Sequence, residues 1–226
     1  MIKELYIYHH MGLGDHLICN AIVRDYSKKY DKIYLFCKHR NKNTIEFMYR
    51  DLKNIYLMLV EDDSQVKNYV FQNKVNLLKI GFENLDMRLN FDESFYNQIK
   101  LNFGKKWSDF FLMRDLDSEK KLFNFFNLKE KEYIFVHDDS SRGFIIQEKF
   151  LSKDIKIIRP DKSLNFNFFD YIYTIENAKQ IHCIDSSYSN LIDLLGINNE
   201  LFLYKNTRWD EFLPKFKSNW KLIDNK

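Results

Sequence analysis

Tyr6-Ile7-Tyr8-His9-His10-Met11-Gly12-Leu13-Gly14-Asp15-His16-Leu17-Ile18-Cys19-Asn20 is the stretch that decides the fold. A short apolar strand runs into two glycines, an acid and a segment of helical periodicity. An α/β domain presents a small ligand at the end of its first strand in this way. The stretch reads as the floor of a ligand cleft, and equally as a tight turn between two core elements, for which glycine is also suited.

On either side of the turn, β-type runs alternate with helical patterns. Leu5–Tyr8 precedes a helix over Asp15–Tyr30, Ile33–Cys37 precedes Thr44–Leu52, and Ile55–Val60 precedes Ser64–Gln72 and the run Val75–Ile80. In the first helix Leu17, Ile18, Ala21, Ile22 and Tyr26 share a face, while Arg24, Lys28 and Lys29 point away. This is the βαβαβ rhythm of a parallel sheet. The rhythm breaks at 82–130, where Glu93–Asn102, Lys106–Met113 and Ser118–Phe126 read as short helices rich in Phe and Trp. Packing between two halves accounts for them; so does one wall of a cleft, in which Tyr96, Trp107 and Arg114 would grip an acceptor.

A second α/β unit follows, with strands at Tyr133–Val136, Ile155–Ile158 and Ile181–Ile184 and a helix around Phe168–Asn177. Leu201–Tyr204 is expected to close the sheet, and Arg208–Asp224, with Trp209, Phe212, Phe216 and Trp220, to pack back as a terminal segment. The expected organisation is α/β, with two Rossmann-like parallel-sheet halves facing a cleft. The halves are 1–130, which includes the helical insert, and 131–226, with the boundary near residues 127–132.

Composition limits the function classes. With 226 residues, 45% of them hydrophobic, the chain can bury a core without metal or disulfide staples. Cys19, Cys37 and Cys183 lie in or beside apolar runs at wide spacings, as reduced thiols of a cytoplasmic protein do. No run approaches the ~20 apolar residues that span a bilayer. The net charge of +3 comes from interspersed acids and bases, not from a basic face, so no nucleic-acid partner is expected.

Gly12-Leu13-Gly14 invites a dinucleotide reading, but Leu17 stands where that fingerprint wants a third glycine, and the second strand ends in Phe36-Cys37-Lys38-His39 without a ribose-binding acid. Nicotinamide and flavin cofactors are disfavoured, and no nucleoside-triphosphatase loop occurs. Asp15, at a helix start, can cap orphan N–H groups or act as a general base. His10 and His16 are neighbouring candidates, because imidazole titrates near neutral pH. Three histidines in seven residues raise the question of a metal, but no matching carboxylate cluster accompanies them and none is expected.

The second signal is Asp185-Ser186-Ser187-Tyr188-Ser189-Asn190, a strand end running into a Leu-rich helix that Gly196 terminates. Ser186 or Ser187 can cap that helix, and a helix start at a parallel strand end is also a natural phosphate site. His137-Asp138-Asp139-Ser140-Ser141-Arg142-Gly143 ends another strand of the same half, where Arg142 could pair with a diphosphate through two parallel hydrogen bonds.

Together these turns resemble the glycosyltransferase-B enzymes, in particular the ADP-heptose:lipopolysaccharide heptosyltransferase family. The resemblance implies a reduced two-domain fold and a metal-independent, inverting transfer of sugar from a nucleotide-sugar to a glycan or lipid-linked acceptor at the inner face of a membrane. No cofactor is implied. By the same resemblance Asp15 is the base; their place in the chain sets His16 beside it and Gly12, Gly14, His10, Tyr96 and Arg114 on the acceptor side. Arg142, His137, Asp185, Ser186, Ser187 and Asn190 would hold the donor, Asn190 standing where the family has histidine. The alternative is a non-catalytic module that binds a nucleotide-sugar or glycan and assists polysaccharide assembly.

Overall fold

The computed structural model describes residues 2–152, 154–161, 163–205 and 213–225. Contacts divide the chain into two compact units, Met1–Met113 and Arg114–Lys226.

In the first unit, β1 (Glu4–Tyr8), β2 (Lys32–Lys38), β3 (Ile55–Val60) and β4 (Leu77–Lys79) form a parallel sheet in the order β3-β2-β1-β4. Ile7 sits opposite Leu35 on one side and Leu78 on the other, so every strand end that follows Tyr8 lies on one edge of the sheet. Helices α1 (Leu13–Ile18), α2 (Asn20–Ser27), α3 (Lys42–Met48) and α4 (Asp63–Asn73) connect the strands. The single helix expected over Asp15–Tyr30 is two, because Cys19 (φ −87°, ψ 5°) leaves the helical region. Its apolar face is as expected, with Leu17, Ile18, Ala21 and Ile22 buried. Arg24, expected to point to solvent, turns inward and binds Asp51 through Nη1 and Nη2 at 2.7 and 2.9 Å. A guanidinium can be buried when it is paired and hydrogen-bonded, and Asn20 and the Met48 carbonyl add two further bonds.

The insert is less helical than its pattern suggests. Beyond α5 (Phe91–Gln98) and α6 (Lys105–Ser108), residues 109–115 run without helix to α7 (Leu116–Phe125). Phe95 and Tyr96 on α5 join Ile18, Cys19, Ala21, Ile22 and Ile80 in one buried cluster. Lys106 Nζ meets Asp92 Oδ2 at 2.7 Å with both side chains wholly removed from solvent.

In the second unit β5 (Tyr133–His137), β6 (Lys156–Ile158), β7 (Gln180–Ile184), β8 (Glu200–Lys205) and β9 (Lys221–Asp224) form a parallel sheet in the order β6-β5-β7-β8-β9. Strand β8 does not close it: Phe202–Lys205 pairs with Lys221–Asp224, so the tail contributes the edge strand. Trp209 and Phe212 lie outside the described residues. Helix α7 belongs with this unit, which is why the division falls at Met113 and not near 127–132. Arg114 binds Glu119 on α7 and Glu176 on α8 (Ile172–Glu176), each through two nitrogens.

Candidate functional site

Each unit carries one loop system at the carboxyl ends of its strands. In the first unit Gly12 (φ −70°, ψ 146°) is the residue before α1, and its N–H donates to Asp15 Oδ2 at 3.2 Å. The Asp15 carboxylate folds back over the glycine, where a Cβ would stand 2.6 Å from that oxygen. Only a residue without a side chain leaves the carboxylate this seat. Asp15 is half-buried, so it caps the turn and still reaches solvent. Gly14 lies inside the first turn of α1.

The neighbouring histidines divide by environment. His16 is fully buried, edge-on to His9 with ring centroids 4.5 Å apart, and neither ring nitrogen has a hydrogen-bond partner. Burial holds it neutral, well below the ordinary histidine range. It cannot meet an acceptor hydroxyl, so the expectation of a catalytic His16 is corrected to a core position. His9 is equally buried; Nδ1 donates to the His10 carbonyl at 2.9 Å, and desolvation pushes its pKa down to about 4. His10 is half-buried in the loop, with Nε2 accepting the Phe82 N–H at 3.0 Å.

Tyr96 and Arg114 also leave the acceptor-side set. The Tyr96 hydroxyl donates to the Ile18 carbonyl at 2.8 Å inside the core, and Arg114 is engaged with its two glutamates. The sequence reading missed Asn41, whose Nδ2 donates to the Met11 carbonyl at 3.0 Å, and Gln98, whose amide binds both the N–H and the carbonyl of Gly81. A glycine directly after the run Val75–Ile80 was the available signal for a second special turn; Asn41 had none.

In the second unit Ser186 precedes α9 (Ser187–Leu194) and caps it as expected, with Oγ accepting the Ser189 N–H at 3.4 Å. Ser189 Oγ accepts the Ser186 N–H at 2.9 Å in return. Asp185 and Ser187 are half-buried at the strand end. Asn190 is buried and donates Nδ2 to the Ser186 carbonyl at 2.9 Å, so its amide serves its own helix instead of facing outward. The His137 ring lies 4.7 Å from that of Tyr188, which brings the ends of β5 and β7 together. Arg142 follows in a short 3-10 turn (Ser140–Arg142) and is paired with Asp139, Nε to Oδ2 at 2.5 Å. Its guanidinium is more than half exposed but already neutralised within its own loop.

Among the described residues no group of three or more His, Cys, Asp and Glu side chains converges as metal ligands would, and no helix is long and apolar enough to cross a membrane. No family model matches the chain, and no curated protein matches it by sequence. Solved structures match in fold. A glycosyl transferase family 9 protein from Veillonella parvula DSM 2008 aligns with a TM-score of 0.61 at 9% identity, over 99% of this chain and 87% of its own. ADP-heptose lps heptosyltransferase II of E. coli aligns with a TM-score of 0.54 at 10% identity, over 97% of this chain and 90% of its own. The fold is that of these glycosyltransferases. The architecture of this chain, two parallel α/β sheets in succession, is the one expected from the two turns, and the likeness falls on the same group of enzymes that those turns resemble. At such identities the glycosyltransferase fold is what is shared.

Proposed function

We propose that the chain is a glycosyltransferase that moves a sugar from a nucleotide-sugar to a glycan or lipid-linked acceptor at a membrane's inner face, with inversion at the anomeric carbon. The observation that carries the reading is Asp15: a half-buried carboxylate, seated over Gly12 at the end of β1, in a chain that follows the glycosyltransferase fold over nearly its whole length. In the reaction the acceptor hydroxyl oxygen bonds to the anomeric carbon, its proton passes to Asp15, and the bond from that carbon to the diphosphate breaks. The leaving diphosphate gains charge as the bond opens. At the start of α9 the half-buried Ser187 offers its N–H and hydroxyl to it, and Arg142 offers a guanidinium once it exchanges Asp139 for phosphate.

The pairing of Arg142 with Asp139 and the inward turn of Asn190 favour a second reading, in which the protein binds a nucleotide-sugar or glycan without turnover. One experiment separates the two. Nucleoside diphosphates and their sugars should raise the melting temperature in either case, while the enzyme alone releases nucleoside diphosphate. Asp15→Asn keeps an oxygen for the Gly12 N–H and removes the base, so release should fall about 10²–10⁴-fold with the nucleotide-induced shift unchanged. Release at the parent rate by Asp15→Asn would exclude Asp15 as base. If no nucleotide stabilised the protein, the enzyme reading would fail and the second would be reduced to binding of a glycan.

A further inference from the structure

The glycine turn is tied down on both flanks. On the β2 side Asn41 holds the Met11 carbonyl, and on the β4 side His10 Nε2 accepts the Phe82 N–H at 3.0 Å. The ring reaches Phe82 because His10 itself adopts a left-handed backbone (φ 53°) and because Gly81 leaves it room. A Cβ on Gly81 would stand 2.4 Å from ring atoms Cδ2 and Nε2. Gly81 lies at φ +152°, ψ −162°, a conformation essentially confined to glycine, and the Gln98 amide fixes both of its peptide groups. Two residues in rare backbone conformations therefore meet at one hydrogen bond, and that bond needs an unprotonated Nε2.

We propose that His10 is a positioning residue, a proton-sensitive tether that holds the Gly12–Asp15 turn to the Gly81–Phe82 backbone and releases it when the imidazole is protonated. The consequence for catalysis rests on the reading of Asp15 as base; the tether itself does not. Protonation places an N–H at Nε2 against the Phe82 N–H, two donors with no acceptor between them. The charged groups facing the ring come from several elements. Asp63 on α4 and Glu83 after β4 favour the imidazolium, while Lys79 on β4 and Lys38 on β2 oppose it. The Tyr8 and Phe82 rings lie 5.8 and 4.9 Å away, and the buried His9 is its chain neighbour. Burial outweighs the two acids and lowers the pKa from its usual 6.5, so the tether is closed at neutral pH and opens on the acid side.

Amide hydrogen exchange on the full chain tests the tether, read as protection factors of Phe82 and Gly12 from about pH 7.5 to about pH 5, the range in which histidine ordinarily titrates. In the parent both factors should fall together with pH. His10→Ala should lower both about tenfold at neutral pH, the scale of one lost hydrogen bond. His10→Gln offers Oε1 near the position of Nε2 and does not titrate, so it should keep both factors and abolish their pH dependence. If His10→Ala does not fold, the parent and His10→Gln series decide alone. In the transfer assay His10→Gln should flatten the acid limb of the rate profile, which a merely structural ring would not do. An unchanged Phe82 factor in His10→Ala, a pH dependence that survives in His10→Gln, or a fall at Phe82 that leaves Gly12 unmoved would overturn the proposal. Absence of nucleoside diphosphate release by the parent would instead remove the glycosyltransferase reading, with the amide measurement still deciding the tether.

Discussion

The two strand-end loops reach order by opposite means. The Asp185–Asn190 turn satisfies itself: Ser186, Ser189 and Asn190 bond to one another within four residues of chain. The His9–Asp15 turn has a bond of its own from the Gly12 N–H to Asp15, and beyond it is held from outside, by Asn41 thirty residues on and by the Phe82 N–H seventy-two residues from His10. A self-capped turn persists wherever its helix does, whereas a tethered turn depends on the rest of its unit and can be let go. The two units differ in their histidines as well. His9, His10 and His16, all in the first unit, have lowered pKa values, against His182 in the second.

Acid should break the symmetry most strongly. A histidine whose pKa is depressed on folding takes up its proton more readily unfolded, so its contribution is complete above 6.5 and is lost as pH falls toward the folded value. For His9, moved from 6.5 to about 4, the loss is of the order of 3 kcal/mol once that value is passed. With three such groups the first unit should open first: protection of the Ile7 amide in β1 should decline at higher pH than that of Ile181 in β7. The reverse order would mean that the buried His9–His16 pair is not what limits acid stability. A smaller effect is expected from Gly81→Ala, which must place a side chain at φ +152° and displace the His10 ring; roughly 2 kcal/mol of destabilisation should appear in denaturant melts. A melt indistinguishable from the parent would show that the tether carries no strain. Ser186→Ala should cost least, about 1 kcal/mol, because it removes one local cap, and it should also shrink any nucleotide-induced thermal shift. Loss of stability with the nucleotide shift intact would separate cap from ligand site.

The same division explains what could be read in the sequence. The alternation of strands and helices, the cap by Ser186 and the placement of Asp15 at a helix start are local, set by residues three or four apart, and all are present. Burial of Arg24 required Asp51, and burial of Tyr96 required the Ile18 carbonyl 78 residues away; neither partner is visible from periodicity. Strand β9 follows a stretch with no β pattern, and its pairing with β8 is decided by an open sheet edge and not by propensity. Arg142 reads in the sequence as a partner for a diphosphate, and only the 3-10 turn, which folds it back onto Asp139, shows that it already has one.

The ion pair of Lys106 with Asp92 governs how two helices of the insert, α5 and α6, find each other. Both charges are sealed from water, so α6 packed one turn out of register against α5 would leave them unpaired, at a cost of about 3–5 kcal/mol. The apolar side chains around it would tolerate many seatings, as oil tolerates oil. The pair therefore acts as a key: it adds little to the depth of the native well and removes the competing wells beside it, so that α6 comes to rest against α5 in a single way.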